Sequence, residues 1–162
     1  MIDVVFICLG NICRSPMAEA LLRHKVQQAG LSDKIRVDSA GTEGLHSGAR
    51  PHRGTARQLQ QRNIDFSGIV SRQINAEDIE NADYLIVMDL DNYNTVRRRA
   101  REWGFGDVDD IRFLLEFASN GHDESDLDVP DPYYTRNFDG VYEMIDDATE
   151  GLLEYIRKQE GI

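Results

Sequence analysis

Two cysteines, four prolines and one tryptophan in 162 residues set the first limits on what this chain is. Two cysteines are too few for a disulfide-stapled secreted scaffold or for a four-cysteine zinc site. The histidines (His24, His46, His52 and His122) fall in no HExxH or similar ligand spacing, so no metal is implied. No run of about 18 apolar residues exists, so no segment reads as a membrane span. The chain opens Met1-Ile2-Asp3 and passes straight into a strand-like run. It lacks the basic start and longer greasy stretch of a secretory signal, so the expected setting is the cytoplasm, with signal-less export left open. So few prolines in a chain that is 41% hydrophobic argue against long disorder. Excess positive charge is missing too: the formal net charge is −11, which excludes ordinary non-specific nucleic-acid binding.

That charge is unevenly spread. Residues 105–150 hold 14 acidic and 2 basic residues, a net of −12, whereas residues 1–104 hold 14 basic and 13 acidic, a net of +1. Most of the carboxylates read as a solvated face. The arginine-bearing 91–101 segment reads as an ordinary surface helix, with a docking role for Arg97, Arg98, Arg99 and Arg101 as the lesser alternative. The length fits one domain over residues 1–162, with enough residues to bury a core.

Ile2–Cys8 (IDVVFIC) is a continuous apolar, β-branched run and predicts a buried strand. Ser15-Pro16 predicts a helix start, with Ser as N-cap and Pro in the first helical position, running to about Gln28 and closed by Gly30. Strands are expected over Lys34–Ser39 and Ala82–Met88, and helices over His52–Arg62, Asp91–Glu102 and Phe138–Gln159. Asn120–Asn137 reads as a loop. Alternating strands and helices predict a doubly wound α/β domain: a four-stranded parallel sheet with helices on both faces.

The segment that carries chemistry is Cys8-Leu9-Gly10-Asn11-Ile12-Cys13-Arg14-Ser15. It lies between the carboxyl end of a strand and a helix start, where ligands bind in open α/β sheets. Successive backbone N–H groups of such a loop form an anion nest, and the helix terminus adds partial positive charge. Gly10 and Asn11 tolerate the left-handed backbone of a tight curl. The guanidinium of Arg14 is a planar fork suited to two phosphate oxygens. The nucleophilic form of cysteine is the thiolate, and the positive cradle that holds a phosphate dianion also favours a thiolate at Cys8. A lone cysteine at a strand end is ordinarily a small buried hydrophobe. The conjunction of strand, Cys, Gly-Asn curl, Arg and Ser-Pro is what points to catalysis.

The stretch Val4 to Ala20 (VVFICLGNICRSPMAEA) closely resembles the signature of the low-molecular-weight protein tyrosine phosphatases. The resemblance continues through Val37-Asp38-Ser39-Ala40-Gly41, Ser71-Arg72-Gln73-Ile74 and Tyr84 to Asp89, and ends in Asp131-Pro132-Tyr133-Tyr134. It implies hydrolysis of phosphotyrosine through a phosphocysteine, with no metal or organic cofactor. It implies Cys8 as nucleophile and Arg14 as the clamp on the phosphoryl oxygens. Leu9, Gly10, Asn11, Ile12 and Cys13 fill out the cradle, Ser15 donates to the sulfur, and Ser39 helps Asn11 fix the loop. Mammalian-type members carry a histidine before the Arg-Gln-Ile segment, where this chain has Phe66-Ser67-Gly68-Ile69-Val70. A bacterial-type member is therefore expected, with Ser15 supported from elsewhere.

Transfer to sulfur needs a proton for the leaving group. Residue types alone leave Asp126, Asp128 and Asp131 open, with only the extended backbone before proline favouring Asp131. The resemblance implies Asp131 as general acid and then base, with Asp128 as runner-up. Tyr133 and Tyr134 read from composition as core aromatics; the resemblance makes them one wall of an aryl slot, with Leu45 and His46 opposite. Cys13 is either a packed loop side chain or a redox partner that captures oxidised Cys8.

Three other functions share the loop or the fold. A protein-arginine phosphatase typically carries threonine where Ile12 stands and lacks the paired tyrosines. A thiol-coupled arsenate reductase needs further cysteines, and none follows Cys13. A non-catalytic phosphoprotein-binding module is expected to have lost the nucleophile or the acid. The expected partners are phosphotyrosine-containing proteins or peptides, with inorganic phosphate as product and inhibitor, no nucleic acid and no membrane. A monomer is expected, with weak dimerisation left open.

Overall fold

An apolar strand without polar alternation must be covered on both faces, and β1 (Ile2–Cys8) is. In the computed structural model, which describes residues 1–119 and 125–162, it is followed by α1 (Arg14–Gln28), β2 (Ile35–Gly41), α2 (Arg53–Gln61) and α3 (Ala76–Asn81). Next come β3 (Tyr84–Val87), α4 (Leu90–Glu102), β4 (Ile111–Phe113), a 3-10 turn at Leu114–Phe117, α5 (Pro132–Thr135) and α6 (Phe138–Glu160). The strands form a four-stranded sheet in the order β2-β1-β3-β4, every pairing parallel.

Alternate residues of β1 enter opposite cores. Val4, Phe6 and Cys8 pack with Leu21 and Leu22 of α1 and Ile145 and Leu152 of α6. Val5 and Ile7 pack on the other side with Leu85 and Val87 of β3, Val96 of α4 and Ile111 of β4. The doubly wound α/β architecture expected from the alternation of elements is the one observed. No helix among the described residues is long and apolar enough to cross a membrane.

Three local expectations are corrected. β4 is three residues long, too short to show a periodicity, so the sequence pattern marks three of the four strands. Helix α1 begins at Arg14, with Cys13 rather than Ser15 at the N-cap and no side-chain cap bond. Ser15 and Pro16 lie inside the first turn, where the missing Pro N–H costs nothing, and the Ser15 hydroxyl is left free for the site. The 120–137 segment holds α5, with Asp131 as its N-cap; residues 120–124, and His122 with them, lie outside the described residues. Because β1 sits between β2 and β3, the chain leaves β1 where the winding direction reverses. That crevice at the carboxyl ends of the strands is where an α/β sheet binds ligands.

Candidate active site

The loop after Cys8 is bent by one residue. Asn11 has φ 55°, a left-handed backbone that Asn tolerates through its short polar side chain. Gly10 is not left-handed, contrary to expectation. Its small size serves packing instead, because a Cβ there would stand 3.2 Å from the His46 ring. Gly41, at the end of β2, allows a closer approach: a Cβ would meet the Leu9 carbonyl oxygen at 2.8 Å. This proximity lets Thr42 N–H donate to the Cys8 carbonyl and Glu43 N–H to the Leu9 carbonyl, both at 2.9 Å. Among the described residues, the N–H groups of Gly10 to Cys13 find no protein acceptor, as an anion nest requires.

A buried hydrogen-bond chain holds the nucleophile. Asn11 Oδ1 accepts from the Arg72 backbone N–H at 3.0 Å. That donor fixes the amide orientation, so Nδ2 donates to Ser15 Oγ at 2.7 Å and to Ser39 Oγ at 2.9 Å. Ser15 Oγ in turn lies 2.9 Å from Cys8 Sγ, a hydrogen bond in which either atom can donate and in which a thiolate at Cys8 can only accept. Ser39 donates onward to Glu19 Oε1 at 2.6 Å. Ser39 and Ser15 thus share the Asn11 amide as donor, and the chain of hydrogen bonds runs from Arg72 N–H to Glu19. Nothing in the sequence pattern marks Glu19 off from other helix glutamates. Burial pushes its carboxyl up to about 7, with Asp38 adding to the effect against the Ser39 hydrogen bond, Arg23 and Arg72.

Arg14 is 2% exposed and anchored from behind. Its NH1 donates to Asp89 Oδ2 at 2.7 Å and to the Val129 carbonyl at 2.9 Å. Burial works against its charge, but Cys8, Asp89 and Asp131 outweigh it and raise the guanidinium further. NH2 lies 3.4 Å from Asp131 Oδ2. Arg14 Nε is buried with no hydrogen-bond partner, one of two such side-chain atoms among the described residues. Asp89 belongs to the Tyr84–Asp89 stretch, whose residue types alone do not announce a contact with Arg14. Its position directly after β3, beside β1, is the signal that marks it.

Around this floor lies a cavity of about 260 Å³ lined by Cys8, Leu9, Gly10, Ile12, Cys13, Arg14, Glu43, Leu45, His46, Asp131, Tyr133 and Tyr134. Tyr133 and Tyr134 are exposed and meet edge to face with centroids 5.3 Å apart, so they are not core aromatics. Leu45 is 82% exposed, and the His46 ring lies 6.3 Å from that of Tyr133. Asp131 Oδ1 caps α5 through Tyr133 N–H at 3.0 Å. The rival carboxylates are engaged elsewhere: Asp128 Oδ1 accepts from Leu90 N–H, and Asp126 Oδ1 from Asp128 N–H. Cys13 is buried, and burial, then Cys8 and Asp131, push its thiol up to about 12. Cys13 is thus held as the neutral thiol. No group of three or more His, Cys, Asp or Glu among the described residues is placed to hold a metal.

An α/β sheet with a cysteine, a buried arginine and an aspartate converging on an anion nest defines a cysteine-dependent phosphomonoester hydrolase. The low molecular weight phosphotyrosine protein phosphatase model matches residues 3–161, and the chain belongs to that family. It is a cysteine-dependent protein-tyrosine phosphatase. It is 45% identical over 163 residues to the low molecular weight protein-tyrosine-phosphatase YfkJ of Bacillus subtilis, covering all of both chains. It is 43% identical over 162 residues to PtpA of Staphylococcus epidermidis, covering 100% of this chain and 98% of that one. The crystal structure of B. subtilis YfkJ superposes with TM-score 0.90 at 43% identity over 98% of this chain and 96% of that one. The crystal structure of a Drosophila arginine phosphatase superposes with TM-score 0.85 at 29% identity, over 97% and 98%.

Proposed function

We propose that Cys8 attacks the phosphorus of a phosphotyrosine residue, forming an S–P bond as the O–P bond to the phenol breaks. Asp131 gives its proton to the departing phenolate. Asp131, now a carboxylate, then takes a proton from water as that water attacks phosphorus. The S–P bond breaks and inorganic phosphate leaves. Ser15, donating to the sulfur at 2.9 Å, stabilises the thiolate at both ends of the cycle. The observation that carries this reading is the orphaned Arg14 Nε beside NH2. A buried donor without a partner costs about 1–3 kcal/mol, and the fork of Nε and NH2 suits two phosphoryl oxygens. NH1 is already occupied by Asp89 and Val129, which sets the fork's direction. Leu9, Gly10, Asn11, Ile12 and Cys13 contribute the cradle around those oxygens. Tyr133 and Tyr134 on one side, and Leu45 and His46 on the other, flank the aryl ring.

The Drosophila neighbour raises phosphoarginine as a second substrate. The paired tyrosines and Ile12 at the cavity wall favour a flat aryl group. We further infer that residues 1–162 act as one domain and as a monomer, on phosphotyrosine-containing polypeptides. Two free cysteines fit a cytoplasmic setting. Initial rates on phosphotyrosine and phosphoarginine peptides, measured in chelator with Cys8→Ser as control, test the assignment. Fast phosphotyrosine turnover that is lost in the variant is expected. Preference for phosphoarginine, or undiminished turnover by Cys8→Ser, overturns it.

A further inference from the structure

The chain carries a surplus of eleven negative charges, and most of its cations are spoken for. Arg36 faces Asp3, Arg72 faces Asp38 and Asp78, Arg101 faces Asp107, Arg112 faces Glu116, and Lys25 faces Asp146 and Glu150. Beside the cavity the pattern is different. Arg53 and Arg57, four residues apart, share a face of α2, and Arg136 follows α5. All three are exposed, and none of their guanidinium groups has a hydrogen bond or ion pair among the described residues.

These cations stand next to the substrate slot. The His52 ring lies edge-on to Tyr133 at 6.0 Å and is stacked on Phe138 at 5.0 Å. Its imidazole is held below its ordinary value by burial first, then by the Arg136 and Arg53 cations and by His46, so both arginines act at the ring that backs the slot wall. Arg57 and Arg136 together line a groove of about 270 Å³ with Gly54, Gln58, Gln61, Phe138 and Asp139. The carboxylate of Asp139 is occupied by the Gln58 amide. Adjacent unpaired cations repel one another, and an anion placed between them relieves that repulsion.

Building on the phosphatase reading, we infer that Arg53, Arg57 and Arg136 form a docking surface for acidic residues flanking the phosphotyrosine in a polypeptide substrate. An extended chain advances about 3.3–3.6 Å per residue, and neighbouring turns of a helix face are about 5–6 Å apart. Side chains within a few residues of the phosphotyrosine therefore reach the groove while the ring occupies the slot. Aspartate and glutamate fit the arginine forks bidentately.

The test compares kcat/KM on phosphotyrosine peptides with neutral flanks, with acidic residues on the N-terminal side, and with acidic residues on the C-terminal side, alongside p-nitrophenyl phosphate. Two or three exposed ion pairs predict about a tenfold advantage for one of the acidic peptides over the neutral one. Raising the salt should shrink that advantage. The triple variant Arg53→Gln, Arg57→Gln, Arg136→Asn should abolish it while leaving turnover of p-nitrophenyl phosphate unchanged; Asn is chosen because Arg136 has φ 65° and Asn tolerates that backbone. Should the triple variant fail to fold, Arg57→Gln alone and the salt series on the unmodified protein carry the same comparison. Acidic peptides no better than neutral ones, or a preference that survives the substitutions and salt, overturn the docking surface while p-nitrophenyl phosphate turnover leaves the phosphatase reading standing. Loss of p-nitrophenyl phosphate turnover in the unmodified protein overturns both.

Discussion

Replacing Glu19 by Gln isolates the energetics of the chain that braces the nucleophile. The Glu19 carboxyl is 7% exposed and accepts from Ser39. It titrates near 4.5 when free and is raised to about 7 in the fold, chiefly by burial. Between those values the folded chain holds a proton that the unfolded chain has released, so raising the pH through this window destabilises the fold. Below 4.5 both states are protonated and the penalty vanishes; above 7 it is constant. At about 1.4 kcal/mol per pKa unit, the full penalty is about 3 kcal/mol. Gln keeps an oxygen for the Ser39 hydroxyl and removes the titration. Its amide hydrogens introduce an offset of their own, but that offset does not change with pH. The stability of Glu19→Gln relative to the unmodified protein should therefore rise by about 3 kcal/mol between pH 4.5 and pH 8. Urea unfolding in reductant at fixed ionic strength measures this; with a slope of about 2 kcal/mol per molar, the relative midpoint moves by about 1.5 M. A relative midpoint that stays constant across the window refutes the reasoning. It would mean that Arg23 and Arg72 keep Glu19 ionised despite burial.

Two further substitutions probe the loop. Gly41→Ala places a methyl 2.8 Å from the Leu9 carbonyl oxygen, a backbone atom that cannot step aside, so β2 and the phosphate loop must separate. A stability loss of about 1–3 kcal/mol by denaturant unfolding is expected, with a drop in kcat/KM; activity within twofold of the unmodified enzyme argues against the close approach. Peroxide should inactivate the enzyme by oxidising Cys8, and thiol should restore it if Cys13 captures the oxidised sulfur before further oxidation. Cys13→Ser should recover less activity after the same treatment, and recovery as full as that of the unmodified enzyme removes Cys13 from the account.

The chemistry of the loop was legible from one contiguous segment. Cys8, Arg14 and Ser15 are separated by a strand end, a short curl and a helix start, so they lie near one another along the chain before any distant contact forms. The parallel sheet was legible for a related reason: IDVVFIC and ADYLIVM have no polar face, so helices must cover both sides. Other parts of the site depend on packing between distant residues. Asp89 reaches Arg14 only because β3 lies beside β1, and Asp131 only because the chain returns over the crevice 117 residues later. Residue type could not separate Asp131 from Asp126 and Asp128; the fold does, by setting Asp131 against Arg14 and turning Asp128 to Leu90 N–H and Asp126 to Asp128 N–H. Glu19 looks like any helix glutamate in a row of letters, and burial between α1 and β2 sets its titration near 7. The three residues of β4 carry too little pattern to announce a strand, and pairing with β3 creates it. By itself the sequence determined the nucleophile, the clamp and the sheet, because those follow from neighbours along the chain. The tertiary structure alone decided that Asp89 anchors the clamp from behind, that Glu19 ends the chain of hydrogen bonds behind the nucleophile and which cations stand unpaired at the rim, because those follow from neighbours in space.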